Sequence, residues 1–121
     1  MIDALKKMNG CVTMASQTSD VKITVLRCFS PEEVFKKLPV KAKYSGPCDI
    51  FEVGQVFHIS ITEDPTMPDN FCSYAWDAIF RWFVAIRSNA DFLQWYEEPG
   101  VVIVCCPDGL RPVVFKIERV S

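Results

Sequence analysis

Cysteine is the residue type in this sequence with the clearest capacity for chemistry. The chain has 121 residues and six cysteines, at positions 11, 28, 48, 72, 105 and 106. None of them belongs to a Cys-x(2–4)-Cys pair, the spacing with which structural zinc sites usually present their ligands. The long gaps indicate thiols that converge from separate parts of one fold.

One hypothesis is a shared metal or ligand site formed by Cys48, Cys72, Cys106 and His58. Each of these residues lies near the predicted end of a strand, helix or turn, and thiolate sulfur and imidazole nitrogen are good zinc ligands. The side chains of Cys105 and Cys106 point to opposite sides if the chain is extended there, so only one of them would join the site. The metal would be zinc or iron. The alternative explanation is that the cysteines act as small buried apolar residues.

A second hypothesis is a nucleophilic or redox thiol. Cys106 precedes the turn sequence Pro107-Asp108-Gly109, and the nearby Arg111 would stabilise its thiolate electrostatically. A Cys-His pair would have to use His58, the single histidine of the chain. The plainer explanation makes His58 a half-exposed strand residue and Asp108 a turn residue that hydrogen-bonds its own backbone. The sequence has no Gly-rich phosphate loop, no Gly-x-Ser-x-Gly and no His-Glu-x-x-His, which argues against phosphate chemistry and hydrolase triads.

Strands and one helix are predicted to position these residues in the first half of the chain. Residues 21–25 alternate between apolar and polar side chains, the period of a strand with one wet face. Residues 30–33 carry a capping box with proline at the first helical position, and this helix is predicted to end at Pro39. Residues 50–62 form a second extended stretch, which Gly54 is predicted to break or bend.

The longest predicted helix spans residues 71–88. It has a wide apolar face and a narrow polar stripe, on which Asp77 and Arg81 are spaced for an i,i+4 ion pair. A helix this apolar is buried on most sides, so either the helix lies at the centre of the fold or its outer aromatic residues, with Trp82 and Tyr74 as candidates, pack against another subunit. Trp76 and other aromatic residues could also line an apolar pocket, although core packing explains most of them.

The chain is predicted to end in a β-hairpin. Residues 101–105 are continuously apolar, residues 113–117 alternate, and residues 107–109 between them supply turn chemistry. The order of elements predicts one α+β domain at residues 21–121, with a mostly antiparallel sheet packed on one long apolar helix and one short helix. Residues 1–20 are predicted to be an N-terminal extension.

Composition and charge exclude several classes of protein. Half of the residues are hydrophobic and the formal net charge is −2, whereas a nucleic-acid groove needs a basic face. No segment approaches the ~20 apolar residues of a membrane-spanning helix, and the N-terminus lacks the apolar region of a signal peptide. We therefore expect a cytoplasmic protein with reduced thiols, whose partners are a small molecule or a metal ion and not nucleic acid or a membrane.

Three blocks of the sequence carry a resemblance. The first joins Gly46-Pro47-Cys48 to Phe51-Glu52-Val53-Gly54-Gln55-Val56-Phe57. The second contains Met67-Pro68, Phe71-Cys72 and Ala75-Trp76. The third joins Cys106-Pro107-Asp108-Gly109 to Pro112-Val113-Val114-Phe115. In this order, over residues 21–120, they resemble an uncharacterised family of bacterial and archaeal proteins of about 90–100 residues.

The resemblance implies a shared thiol site at Cys48, Cys72 and Cys106. It leaves three cysteines as packing residues, namely Cys11, Cys28 and Cys105. The chain departs from the family at Ser73, where the family often has proline, and at residues 88–90, where it tends to have two glycines.

Three functions follow from these observations. We predict a small binding module, with a thiol-lined site for a metal or small ligand supported by Asp108, Arg111 and Trp76. One alternative is a cysteine-dependent enzyme or redox protein. The other is a structural or accessory subunit of a homo-oligomer that assembles through its aromatic helix and whose thiols are inert.

Overall fold

The strands of the protein form a single antiparallel sheet. The computed structural model describes residues 19–120, so the predicted N-terminal extension lies outside the described residues up to position 18. The described elements are β1 (Val21–Cys28), α1 (Pro31–Val34), β2 (Val56–Ile59), α2 (Ser73–Arg87), β3 (Val101–Cys105) and β4 (Val113–Arg119). The order of strands in the sheet is β2-β1-β4-β3. The predicted α+β class with a mostly antiparallel sheet is confirmed.

One face of the sheet is buried against α2. Alternate residues of the two central strands point to this face, and each is almost fully buried: Val21, Ile23, Val25, Val113, Phe115 and Ile117. Four α2 residues at helical spacing meet them and are 0% exposed: Ala75, Ile79, Phe83 and Ile86. Because burial of one large apolar side chain contributes about 1.5–3 kcal/mol, this layer is the main source of stability.

The opposite face of the sheet is open and carries charged residues. The Lys22 ammonium lies 3.7 Å from the Glu118 carboxylate on the neighbouring strand. Lys116 pairs with the same carboxylate at 3.6 Å. Two faces of such different polarity hold the strands in register, because a slip of one residue would turn every side chain to the wrong face.

The first helix is shorter than predicted. The Glu33 carboxylate accepts a hydrogen bond from the Ser30 N–H at 2.9 Å, as the capping box predicts. However, the helix ends at Val34, and Phe35 is already extended. Pro31 is the buried residue of this helix, whereas Val34 and Phe35 are 38% and 37% exposed, and a helix of one turn gains little from packing.

The second extended stretch contains four strand residues, because Gly54 breaks it as predicted. Gly54 has φ +93°, in the left-handed region that favours glycine. Its N–H donates to the Val25 carbonyl at 2.8 Å, and the Val25 N–H donates to the Gln55 carbonyl at 2.9 Å. The turn is thereby bonded to the middle of β1.

Within residues 19–120, no helix has the length and apolar character that crossing a membrane would require.

Candidate functional site

Three of the cysteines proposed from the sequence line one cavity of about 280 Å³. We call this cavity the thiol pocket. Cys48 comes from the long loop after α1, Cys72 from the N-cap of α2, and Cys106 from the end of β3. The other residues that line it are Asp49, Ile50, Phe51, Tyr74, Ala75, Pro107, Asp108, Arg111 and Val113. Its volume lies just below the usual range of small-molecule sites, roughly 300–1,000 Å³.

Cys72 occupies the N-cap position of α2. Its backbone is extended, its carbonyl accepts the Trp76 N–H at 2.9 Å, and its side chain makes no capping hydrogen bond. The thiol is therefore free of a capping role. The first N–H groups of a helix carry partial positive charge, so this end of α2 attracts anionic or polarisable ligand atoms to the pocket.

Cys106 is held by Val113 through both its backbone and its side chain. The Cys106 N–H donates to the Val113 carbonyl at 3.0 Å, and the Val113 N–H donates to the Cys106 sulfur at 3.3 Å. Cys105 pairs with Val114 and is exposed. The two adjacent cysteines thus point to opposite faces, and only Cys106 reaches the pocket.

Arg111 connects the loop that carries Cys48 to the β3–β4 connection. Its Nε donates to the Gly46 carbonyl at 3.2 Å and its Nη2 donates to the Pro47 carbonyl at 2.7 Å. The guanidinium also lies 5.4 Å from the centre of the Tyr44 ring. The two hydrogen bonds place Cys48 beside the segment that begins at Cys106. Arg111 therefore holds the loop that carries Cys48, and the charge stabilisation of Cys106 that the sequence suggested for it stays a prediction.

Asp108 shapes the β3–β4 connection. Its carboxylate accepts the N–H groups of Leu110 at 2.9 Å and Arg111 at 3.2 Å. This is the ordinary role of an aspartate that hydrogen-bonds the backbone of its own turn. Asp108 also lines the pocket, so the turn it stabilises forms part of the wall.

Cys28 is a fourth thiol in this region, and sequence reasoning assigned it to packing. It ends β1, pairs with Val113, and its thiol donates to the Phe51 carbonyl at 3.8 Å. Burial raises the pKa of the Cys28 thiol, and the nearby Cys48 and Cys106 raise this pKa further. Cys28 therefore lies close to two of the thiols of the pocket, and these surroundings favour its protonated form. All five cysteines of the described residues are free thiols.

His58 does not reach the thiol pocket. Phe57 and Ile59 are buried, so the alternation of β2 turns His58 to the open face, where it is exposed and opposite Lys22. Its strand is also at the edge of the sheet farthest from β3. His58 lines a separate small cavity with residues that include Asp20 and Glu63. The structure therefore does not place His58 with the cysteines.

Trp76 does not line the thiol pocket either. Its ring lies 5.8 Å from the ring of Phe71 and 5.2 Å from that of Phe83, between ring centres. It is partly buried against the core. These contacts fit the core-packing explanation that the sequence left open for the tryptophans.

The described residues contain no set of metal ligands that is already assembled. Within residues 19–120, no group of three or more His, Cys, Asp or Glu side chains is arranged to hold a metal ion. The zinc or iron site thus stays a prediction from the sequence. What the structure assembles is a cavity with thiols on several of its walls.

The sequence matches no protein-family model, no curated protein and no solved structure. The resemblance that the three sequence blocks carry therefore stays a prediction, and the thiol pocket must be interpreted from its own geometry.

Proposed function

We propose that the protein is a small binding module that holds a compact ligand in the thiol pocket. The observation that carries the proposal is the convergence of Cys48, Cys72 and Cys106 on one cavity. They come from a loop, a helix N-cap and a strand end that are far apart in the sequence. All three also pack against the edge of the core, and the proposal rests on their shared position around one cavity.

The exposure of these cysteines also supports a binding role. A cysteine that serves only to pack is usually among the most buried residues of a protein. The almost fully buried core of the described residues contains no cysteine. Cys48, Cys72 and Cys106 are instead half-buried around an open cavity, where their sulfur atoms can meet a ligand.

The lining of the pocket indicates the chemistry of the ligand. Ile50, Phe51 and Tyr74 offer apolar surface, while Asp108 and Arg111 add charge. Sulfur is polarisable and binds soft centres. We infer a compact, largely apolar molecule with a thiol-seeking group. A zinc or iron ion is the other form of ligand, and it would require the thiols to move together. The proposal assigns the protein to the cytoplasm, where such thiols stay reduced.

Native mass spectrometry of protein purified without oxygen tests this proposal. We expect the wild-type chain to carry an additional non-covalent mass, which the variants Cys48→Ser, Cys72→Ser and Cys106→Ser lose or hold less well. Cys105→Ser is the matched control, because Cys105 is adjacent in sequence but faces away from the pocket. Elemental analysis of the same samples separates a bound metal from an organic ligand.

Two results would contradict the proposal. The first is a wild-type protein with the mass of the bare chain and no bound metal. The second is an additional mass that Cys105→Ser loses as readily as Cys106→Ser, because the pocket would then not be the place of binding.

A cysteine-dependent enzyme or redox protein is the second candidate. The observation that favours it is the N–H of Val113, which donates to the sulfur of Cys106 and fixes the thiol at the pocket wall. Alkylation by iodoacetamide near neutral pH distinguishes the two functions. A nucleophile would give one cysteine that reacts much faster than the exposed Cys105, whereas a binding site requires no such difference.

A further inference from the structure

The outward face of α2 combines exposed apolar side chains with charged ones. Three large side chains lie on it with exposures of 76%, 37% and 36%, namely Tyr74, Phe80 and Val84. At 100° per residue Tyr74 and Val84 lie on the side of the helix away from Ile79 and Ile86, which face the sheet. Phe80 lies at the edge of this side, with its ring 5.5 Å from that of Trp76. Trp82, another aromatic residue of this helix, packs within the same chain, because its ring centre lies 5.5 Å from that of Phe92.

Asp77 and Arg81 lie among these apolar residues on the same face. The sequence predicts an ion pair between them, but no such pair is present in the structure. The ion pairs formed within residues 19–120 involve other side chains. Both residues are exposed and border a shallow groove with Trp76 and Phe80. The face therefore presents one negative and one positive charge, four residues apart.

We propose that this face binds the same face of a second copy of the chain, with the two α2 helices antiparallel. A two-fold axis near the level of Ile79 places Asp77 of each copy opposite Arg81 of the other. The same operation places Tyr74 opposite Val84. A single two-fold contact is self-complementary, and here it forms two ion pairs and two apolar contacts from one face.

Charge identifies the second copy as the occupant. Asp77 and Arg81 are symmetric about Ile79, so reversing the direction of the helix exchanges the two signs. A parallel pair would bring Asp77 against Asp77 and Arg81 against Arg81, and like charges in an interface oppose association. The inference does not depend on the function proposed for the thiol pocket. It would, however, bring the second copy close to that pocket, because Tyr74 also lines it.

Charge reversal provides the test, with the full chain studied by sedimentation velocity over a range of concentrations. We expect the wild type to dimerise, and Asp77→Arg and Arg81→Asp to dimerise less well when each is alone. Each variant introduces two like-charge contacts per dimer, so the dimer Kd should rise on the order of tenfold to a hundredfold. Lys37→Asp changes the charge as much as Arg81→Asp at an exposed position outside α2, and it should leave the Kd unchanged.

Mixing the two variants gives the sharpest result. In a dimer of one Asp77→Arg chain and one Arg81→Asp chain, arginine meets aspartate at one contact and the native pair remains at the other. The mixture should therefore associate nearly as well as the wild type, although each variant alone does not. Circular dichroism confirms that each variant is folded.

The proposal is overturned if the wild type is monomeric at every concentration. It is also overturned if the wild type associates but both charge reversals leave its Kd unchanged, which would indicate another interface. Failure of the mixture to recover association would refute the antiparallel arrangement.

Discussion

Replacement of Arg111 by alanine should weaken the thiol pocket more than it weakens the fold. Arg111 donates to the carbonyl oxygens of Gly46 and Pro47 and lies over the ring of Tyr44. These contacts join the loop that carries Cys48 to the β3–β4 connection. The loop lacks a strand or helix of its own between α1 and β2, so it depends on side-chain contacts for its position.

The size of the effect can be estimated from these contacts. A hydrogen bond to a charged group contributes about 1.5–3 kcal/mol when it is protected from water. Arg111 is half-exposed, so screening by solvent reduces this value for each of its two bonds. The cation–π contact adds about 0.5–1 kcal/mol. We expect Arg111→Ala to lower the free energy of unfolding by about 1–2 kcal/mol and Arg111→Lys, which loses the fork of donors, by roughly half as much.

Alkylation of single cysteines measures the local effect. Release of the loop by about 1.4 kcal/mol would raise the population of its open form about tenfold. The rate of Cys48 alkylation should rise to a similar extent. Cys106 is held by Val113, so its rate should change much less. Peptide mass spectrometry after a short pulse of iodoacetamide reports both rates in one sample.

Arg27→Ala is the control, because Arg27 forms an exposed ion pair with Glu33 and does not contact the loop. It should leave the alkylation of Cys48 unchanged. The reasoning is refuted if Arg111→Ala also leaves the Cys48 rate unchanged, or if Cys48 and Cys106 become reactive together. The second result would mean that the whole domain had loosened and that Arg111 does not act on the loop.

Three further predictions concern stability. Phe83→Ala removes a side chain that is 0% exposed and should cost about 3–5 kcal/mol in urea unfolding; a loss no greater than that of the exposed control Leu93→Ala would contradict this. The pKa of Cys28 is raised above its ordinary value of 9.0, so the unfolded chain ionises first and stability falls as the pH rises past that value. Cys28→Ala should reduce this alkaline loss in thermal unfolding, and an identical pH profile would argue against the effect. Arg119 holds the pKa of Asp91 below its ordinary 3.8, so stability is present above that pH and is lost as the pH falls through the lowered value. Asp91→Asn should have a lower Tm than the wild type near neutral pH and a smaller acid loss, and an equal Tm would count against the pair.

The sheet and the main helix could be predicted because their side chains repeat regularly. Residues 21–25 of β1 and residues 115–118 of β4 alternate between apolar and polar side chains, and that alternation matches the observed register of the two strands. α2 carries buried residues at helical spacing, and its observed bounds of Ser73 and Arg87 lie within two residues of the predicted ones. Patterns of this kind follow from burial of one face, which the sequence records directly.

Cys28 packs against the core, as the resemblance implied, but the side of the sheet on which it lies could not be predicted, because a bulge changes the alternation of β1. Val21, Ile23 and Val25 point to the core, and strict alternation would turn Cys28 to the open face. The register shifts between Val25 and Arg27, so Cys28 pairs with Val113 and returns to the core side. A β-bulge adds one unpaired residue and reverses the faces beyond it. The residue types at positions 25–27 do not indicate such a shift in register.

The position of Cys48 could not be predicted from a repeating pattern in the sequence either. Its loop has no periodicity, and it is tied to the rest of the protein by Arg111, which is 65 residues beyond Gly46.

For His58, the alternation of its strand correctly predicted the face of the sheet on which it lies. Its distance from the pocket depends on strand order, which brings β1 and β3 to the two sides of β4 and leaves β2 at the far edge.

The same strand order explains how thiols can gather here without bonding to one another. Cys28 pairs with Val113 from one side of β4, and Cys106 bonds to Val113 from the other. Their Cα atoms are thus two strand spacings apart, about 10 Å, which is beyond the reach of a disulfide. The Cys106 sulfur also accepts a hydrogen bond from the Val113 N–H, and the Cys28 thiol donates one to the Phe51 carbonyl. The pairing of β1 and β3 with β4 therefore holds these two free thiols apart, which suits thiols that serve a shared ligand better than thiols that form a crosslink.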